Sequence, residues 1–171
     1  MRQRPSRRRS SGLAWLLAIG ALVVASQLKP VTAPAHPAPT TTPVISPPAA
    51  LAVAYANEQL GKPYVWGAEG PGAFDCSGLT WAAWRAAGLD WARMTAADQW
   101  HTLRAHTVSR QALRPGDLVF FAHNRADWRS IHHVGLYVGG GRMAEAPHSD
   151  ARVRLASINR SGWFGAARPG R

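Results

Sequence analysis

From residue 50 onward, the hydrophobic and polar positions follow first a helical and then a strand period. Ala50–Leu60 has the pattern of a helix that Gly61 closes and Pro63 cannot continue. Tyr64-Val65-Trp66 is a short strand or turn, and Gly67–Gly72 a glycine-rich loop. Ser77–Ala87 forms a second expected helix with Gly88 at its C-terminal cap. Thr95–Arg104 forms a third, with Thr95 as N-cap and Asp98 three residues on. The period then shortens, and strands are expected at Asp117–Ala122, His132–Val138, Arg142–Ala146, Val153–Ile158 and Trp163–Ala167. Gly139-Gly140-Gly141 separates the second and third as a three-residue hairpin loop. Helices first and strands afterwards predict an α+β domain, with the helices packed on an antiparallel sheet, rather than alternating βαβ units.

The chain before residue 50 follows neither period. Arg2 to Arg9 form a positive cluster, and Gly12–Ala25 is an uncharged apolar run of fourteen residues. That run has the length of an export-signal core and falls short of the ~20 residues that span a bilayer comfortably. Residues 1–25 are therefore expected to be a signal peptide or, if uncleaved, a signal anchor that tethers the protein to the membrane. Residues 26–49 form a Pro/Ala/Thr-rich linker that cannot bury a core, with seven prolines between Pro30 and Ala50. Residues 50–171 are the globular domain, expected outside the cell membrane.

Charge narrows the partners. The net charge is +11, but residues 1–50 carry six Lys/Arg and no acidic residue, whereas residues 51–171 carry fourteen Lys/Arg against nine Asp/Glu. The domain is thus only mildly basic. Its cations are scattered rather than clustered on one element, which argues against nucleic acid and suits an anionic polymer such as a cell wall. The single cysteine, Cys76, excludes an intrachain disulfide and a cysteine-based zinc site.

Cys76 lies in Asp75-Cys76-Ser77-Gly78, where the glycine-rich loop meets a helix start. Free N–H groups and the positive end of the helix dipole favour a thiolate there, and the same N–H groups can hold an oxyanion. A thiolate nucleophile needs a base. His36, His101, His106 and His123 fall in linker, polar helix or loop and suit solvent. His132 and His133 open the strand His-Val-Gly-Leu-Tyr-Val. Val134, Leu136 and Val138 form its core face, so His133 shares the other face with Gly135 and Tyr137, and Gly135 leaves room for a neighbouring element. His132, on the apolar side, is expected to turn outward. With a three-residue hairpin loop, Val138 opposes Arg142 and His133 opposes Pro147, making Glu145 the diagonal neighbour of His133 on the same face. A two-residue loop would place them on opposite faces. The bland alternative for Glu145 is a solvent-facing strand residue, and His148 is the rival for the orienting role.

Four motifs in order then resemble those of the NlpC/P60 cell-wall peptidases. They are Gln59-Leu60-Gly61-Lys62-Pro63-Tyr64-Val65-Trp66-Gly67, Asp75-Cys76-Ser77-Gly78-Leu79, Leu113-Arg114-Pro115-Gly116-Asp117-Leu118-Val119-Phe120-Phe121, and His132-His133-Val134-Gly135-Leu136-Tyr137-Val138-Gly139-Gly140-Gly141. The resemblance covers residues 50–169. It implies a papain-like fold and a cysteine endopeptidase that hydrolyses peptidoglycan stem peptides, typically between γ-D-glutamate and a diamino acid such as meso-diaminopimelate, with no metal or cofactor. Cys76 matches the family's nucleophile and His133 its base; Glu145 falls at the third position, where many members carry histidine. By the same resemblance Tyr64 lines the site beside the thiol, Asp75 and Ser77 help hold the substrate's free amino end, and Arg93 resembles an arginine ahead of the second helix. A monomer is expected. The competing classes are a non-catalytic wall-binding domain and an acyl-transferring relative with the same triad.

Overall fold

The computed structural model describes residues 45–170. The expected signal segment and residues 26–44 of the linker lie outside the described residues. Among the described residues, no helix is long and apolar enough to cross a membrane.

Helix α1 spans Pro47–Glu58 and so begins three residues before Ala50. Pro47 and Pro48, assigned from sequence to a linker unable to form a helix, occupy its first turn. There a backbone N–H has no intrahelical partner to lose, and the fixed proline φ already suits a helix. Helix α2 spans Cys76–Ala86 with Asp75 as N-cap, one residue earlier than expected, so Cys76 belongs to the helix itself. Helix α3 spans Ala96–Leu103, and its Thr95 cap accepts from the Asp98 N–H as the sequence implies.

Among the described residues six antiparallel strands follow: β1 (Thr107–Val108), β2 (Leu118–Ala122), β3 (Ile131–Gly139), β4 (Arg142–Glu145), β5 (Arg154–Ser157) and β6 (Trp163–Ala167). They form one sheet in the order β1-β6-β2-β3-β4-β5. The helices cover one face, where Ala52, Ala56, Ala83, Trp84 and Leu103 pack on Leu118, Phe120, Val134, Leu136 and Ala144. The opposite face carries a second cluster of Val119, Phe121, Met143, Ile158 and Ala166. With both faces occupied, β2 is buried at all five positions and shows no alternation. Burial of each such large apolar side chain contributes roughly 1.5–3 kcal/mol, and the central strand is thereby a rigid support for its neighbour β3.

Two irregularities decide where the β3 side chains point. Phe121 pairs with His133 but Ala122 pairs with Ile131, so His132 is an extra, bulged residue. The bulge returns Ile131 to the apolar face, where it is 6% exposed, and expels His132 to the surface. There His132 stacks on His123 with ring centroids 3.9 Å apart. At the other end, Leu136 pairs with Ala144 and Tyr137 with Met143, in the expected register, but the closing pair is Gly139 with Arg142. The loop proper is therefore two residues, Gly140-Gly141, both at positive φ as a type I′ turn requires. Val138 is bulged, and that extra residue restores the register a two-residue loop would have shifted.

Candidate active site

The loop and helix that present Cys76 are tied by Asp75. One carboxylate oxygen accepts from Gly78 N–H at 2.6 Å and from the Ser77 hydroxyl at 3.0 Å; the other accepts from Gly67 N–H at 2.9 Å. Asp75 N–H donates to Ala68 O at 2.8 Å, so loop 67–75 folds back onto the first helical turn. A Cβ at position 78 would come within 2.1 Å of Ala68 O, which is why only glycine fits there. Underneath, buried Gln99 from α3 donates to Ser77 O at 2.8 Å and accepts from the Thr80 hydroxyl at 2.9 Å. The turn bearing the thiol is thus held from loop, helix and neighbouring helix.

Cys76 packs against the core cluster to which Val134 of β3 belongs. Tyr137 N–H and C=O both bond toward the strand-β2 side, through Asp117 O and Gly116 N–H. By alternation Val134 points its amide to the other side, beyond the last residue of β4, Glu145. Burial pushes the Cys76 pKa up; hydrogen bonds from the Val134 and Ser77 amides and the charge of Arg93 pull down, while Asp75 pushes up, and the net direction is upward. The helix-terminus effect expected from sequence is present in the Ser77 amide, but burial outweighs it. A thiol shifted in that direction would need a base to take its proton before it could act as a nucleophile.

His133 is 5% exposed and Glu145 0%, which excludes the solvent-facing alternative for Glu145. His133 Nε2 lies 2.8 Å from Glu145 Oε2. Glu145 also receives Arg154 Nε on Oε1 at 3.1 Å and pairs with Arg160 Nη1 on Oε2 at 2.9 Å. Burial alone would raise the carboxyl pKa, but the His133 hydrogen bond and charge, with Arg160 and Arg154, lower it to about 2. An ionised carboxylate can only accept, so Nε2 must carry the ring proton and Nδ1 keeps the lone pair for a substrate or thiol proton. His148 is exposed and its Nδ1–H donates to Ser149 O at 2.7 Å, outside this arrangement. Gly135 makes room as expected, but for Met143 of β4, whose sulfur would lie 2.6 Å from an added Cβ.

The residues assigned to substrate gather around the thiol. The Tyr64 phenol is raised by burial and then by the nearby Cys76 and Asp75. Arg93 donates through Nη2 to both Asp75 oxygens at 2.8 and 2.7 Å and through Nη1 to the Ser77 hydroxyl at 3.0 Å. Asp75, Ser77 and Arg93 thus form one network. With Trp66, Cys76 and His132 they line a cleft of about 970 Å³, and Trp66 stands 85% exposed on its rim. Sequence reasoning missed Arg154 and Arg160. A signal existed for the first: Glu145 and Arg154 are directly opposed across β4 and β5, an opposite-charge cross-strand pair. Arg160 comes from the β5–β6 loop, and no local pattern announces it.

Residues 61–167 match the family model described as NlpC/P60 family. Among curated relatives, a probable endopeptidase p60 of Listeria grayi is 40% identical over 110 residues, covering 64% of this chain and 20% of the relative. A γ-D-glutamyl-L-lysine dipeptidyl-peptidase of Bacillus cereus is 33% identical over 105 residues, covering 61% of this chain and 30% of that protein. The chain therefore spans between a fifth and a third of the length of these two relatives. The crystal structure of an NlpC/P60 family protein from Bacillus cereus superposes with a TM-score of 0.64 at 31% identity, covering 73% of this chain and 41% of that one.

Proposed function

The chain belongs to the NlpC/P60 family, and from that premise we propose that it is a cysteine endopeptidase hydrolysing peptidoglycan stem peptides at the γ-D-glutamyl–meso-diaminopimelate bond. The observation that carries this reading is the pairing of His133 Nε2 with a fully buried, ionised Glu145. That pairing leaves Nδ1 as the base, on a strand whose next amide, Val134, bonds the Cys76 sulfur. A domain that only bound the wall would have no use for an imidazole oriented by a buried carboxylate.

In this mechanism, Nδ1 of His133 takes the Cys76 proton as sulfur attacks the scissile carbonyl. Amides at the α2 N-terminus stabilise the oxyanion. The imidazolium, held by Glu145, then protonates the leaving amine, and the acyl-enzyme forms. His133 next activates water, which hydrolyses the thioester and restores the thiol. Asp75, Ser77 and Arg93 bind the acyl half in the Cys76 cleft, with Tyr64 close enough to the thiol to feel its charge. Arg93 already satisfies both Asp75 oxygens, so Asp75 acts mainly by holding Arg93 and Ser77 in place. The name of the Bacillus cereus γ-D-glutamyl-L-lysine dipeptidyl-peptidase supports a γ-D-glutamyl bond as target.

Incubation with a muropeptide of defined sequence, followed by mass analysis, should release fragments ending at γ-D-glutamate and beginning at the diamino acid. Cleavage at another bond would refute the bond assignment, and a product carrying a new amide instead of water would establish acyl transfer.

The protein acts outside the cytoplasm as a monomer, either secreted or tethered through residues 12–25. Arg2–Arg9 followed by the apolar run Gly12–Ala25 supports export. A reporter enzyme active only outside the cytoplasm, fused after residue 50, should be active; an inactive, cytoplasmic fusion would contradict the export reading.

A further inference from the structure

The arginines that fix Glu145 do not spend all their donors on it. Arg154 uses Nε, and its two terminal nitrogens have no protein partner among the described residues. Arg160 uses Nη1 on Glu145 while its guanidinium lies over the Phe121 ring, 4.1 Å from the centroid. Both line a cavity of about 270 Å³ together with Phe121, His132, His133 and His148. Two guanidiniums against one carboxylate leave this cavity with one surplus positive charge, before any histidine is protonated. Arg154 sits on the edge strand β5 with its side chain 53% exposed, and Arg160 is 32% exposed, so both are open to a ligand.

The position of the cavity relative to the chemistry identifies which half of a substrate would enter it. Cys76 lines the large cleft and His133 does not; His133 lines this cavity, and His132 borders both. In acyl transfer, the general acid must reach the nitrogen of the departing amine. The amine half therefore lies on the His133 side, and the acyl half on the Cys76 side.

The geometry points to a leaving-group subsite, built by Arg154 and Arg160 beside His133, that selects amines carrying a free carboxylate. This rests on the peptidase reading and adds to it the chemistry required of the departing half. A planar guanidinium whose two terminal NH₂ groups are unused matches a carboxylate in a bidentate fork, which a carboxamide cannot reproduce.

The test compares two stem peptides that are identical except that the side-chain carboxyl of the diamino acid is free in one and a carboxamide in the other. Both arginines also hold Glu145, so absolute rates will fall in any variant, and the deciding quantity is the ratio of kcat/KM between the two peptides. Wild-type full-length protein should prefer the free carboxylate by about tenfold or more, as expected for a charge-assisted fork. In Arg154→Gln that ratio should collapse to about twofold or less, while Arg154→Lys should retain an intermediate preference. A merely structural role for Arg154 would slow both peptides equally and leave the ratio intact, which would overturn the subsite. Equal rates for the two peptides in wild type would overturn it without any variant. Failure of wild type to cleave either peptide would instead overturn the peptidase reading, and the subsite with it. The same preference should appear in binding of the two intact peptides to Cys76→Ala, measured by calorimetry, and its absence there and in the rates would count against the subsite alone.

Discussion

Replacing Cys76 with alanine should remove hydrolysis of stem peptides altogether, by about 10⁵-fold or more, while the domain stays folded. No other residue can substitute for the lost nucleophile, because the chain has no second cysteine. The fold should tolerate the change. Cys76 is half-buried at the first position of α2, and its backbone is held independently by Asp75, Gln99 and the loop contact at Gly78. Loss of one sulfur there should cost about 1 kcal/mol, well inside the stability of a domain this size. Cys76→Ser should be nearly as inactive, since burial already raises the pKa of the thiol and a hydroxyl is far harder to deprotonate. Muropeptide release followed by chromatography reads the activity, and circular dichroism reads the fold. If Cys76→Ala matched wild type in turnover, the cysteine-peptidase reading would be lost.

The sequence carried the α+β arrangement because its signals are local. Helix caps such as Thr95 with Asp98, and the alternation from His133 to Val138, are written within a few residues of each element. The two-residue strand β1 is too short to show a period and exists only because β6 offers it a partner. Pro47 and Pro48 misled for a related reason: their composition matches the preceding linker, and only packing of Ala49, Ala52 and Ala56 into the core recruits them to a helix. The β3–β4 hairpin is more instructive. A three-residue loop was expected to bring Glu145 to the His133 face. The chain instead uses a two-residue turn plus a bulge at Val138, and the two departures cancel. Hydrophobic alternation pins the register of the strand bodies, since a slip would take Leu136 and Ala144 off the helix-covered face, whereas the closure of the hairpin is free to vary.

The candidate site divides along the same line. Cys76, His133 and Glu145 were legible because each stands at a definable place on its element. What surrounds Glu145 was not. Its burial, and the two guanidiniums that make burial tolerable, depend on β5 lying against β4 and on the following loop folding back over Phe121. The outward turn of His132 was expected, yet its cause, a bulge that returns Ile131 to the core, follows only from the pairing of β3 with β2.

Changing Glu145 should produce the second largest effect, in turnover and in acid stability together. Three donors converge on its carboxylate: His133 Nε2–H, Arg154 Nε and Arg160 Nη1. In Glu145→Gln one oxygen becomes an NH₂ group, which must then face either the imidazole or a guanidinium. Facing the imidazole, it inverts the tautomer and removes the base from Nδ1; facing an arginine, it opposes a guanidinium donor with another donor. Turnover should fall about 10²- to 10⁴-fold, less than for Cys76→Ala because nucleophile and imidazole both survive. Glu145→His should retain more activity than Glu145→Ala, since an imidazole can still accept the Nε2 proton. The carboxyl pKa is depressed from 4.5 to about 2, so ionised Glu145 stabilises the folded state above about pH 4.5, and that contribution is lost as pH falls toward 2. The shift corresponds to about 3 kcal/mol. Thermal melts of wild type between pH 6 and pH 2.5 should therefore show a steep acid decline that is visibly shallower in Glu145→Gln, which has no proton to take up. The loss of turnover in Glu145→Ala should far exceed that in His148→Ala, because His148 bonds its neighbour Ser149 rather than His133. The reverse order, with His148→Ala the more damaging, would reassign the orienting role to His148.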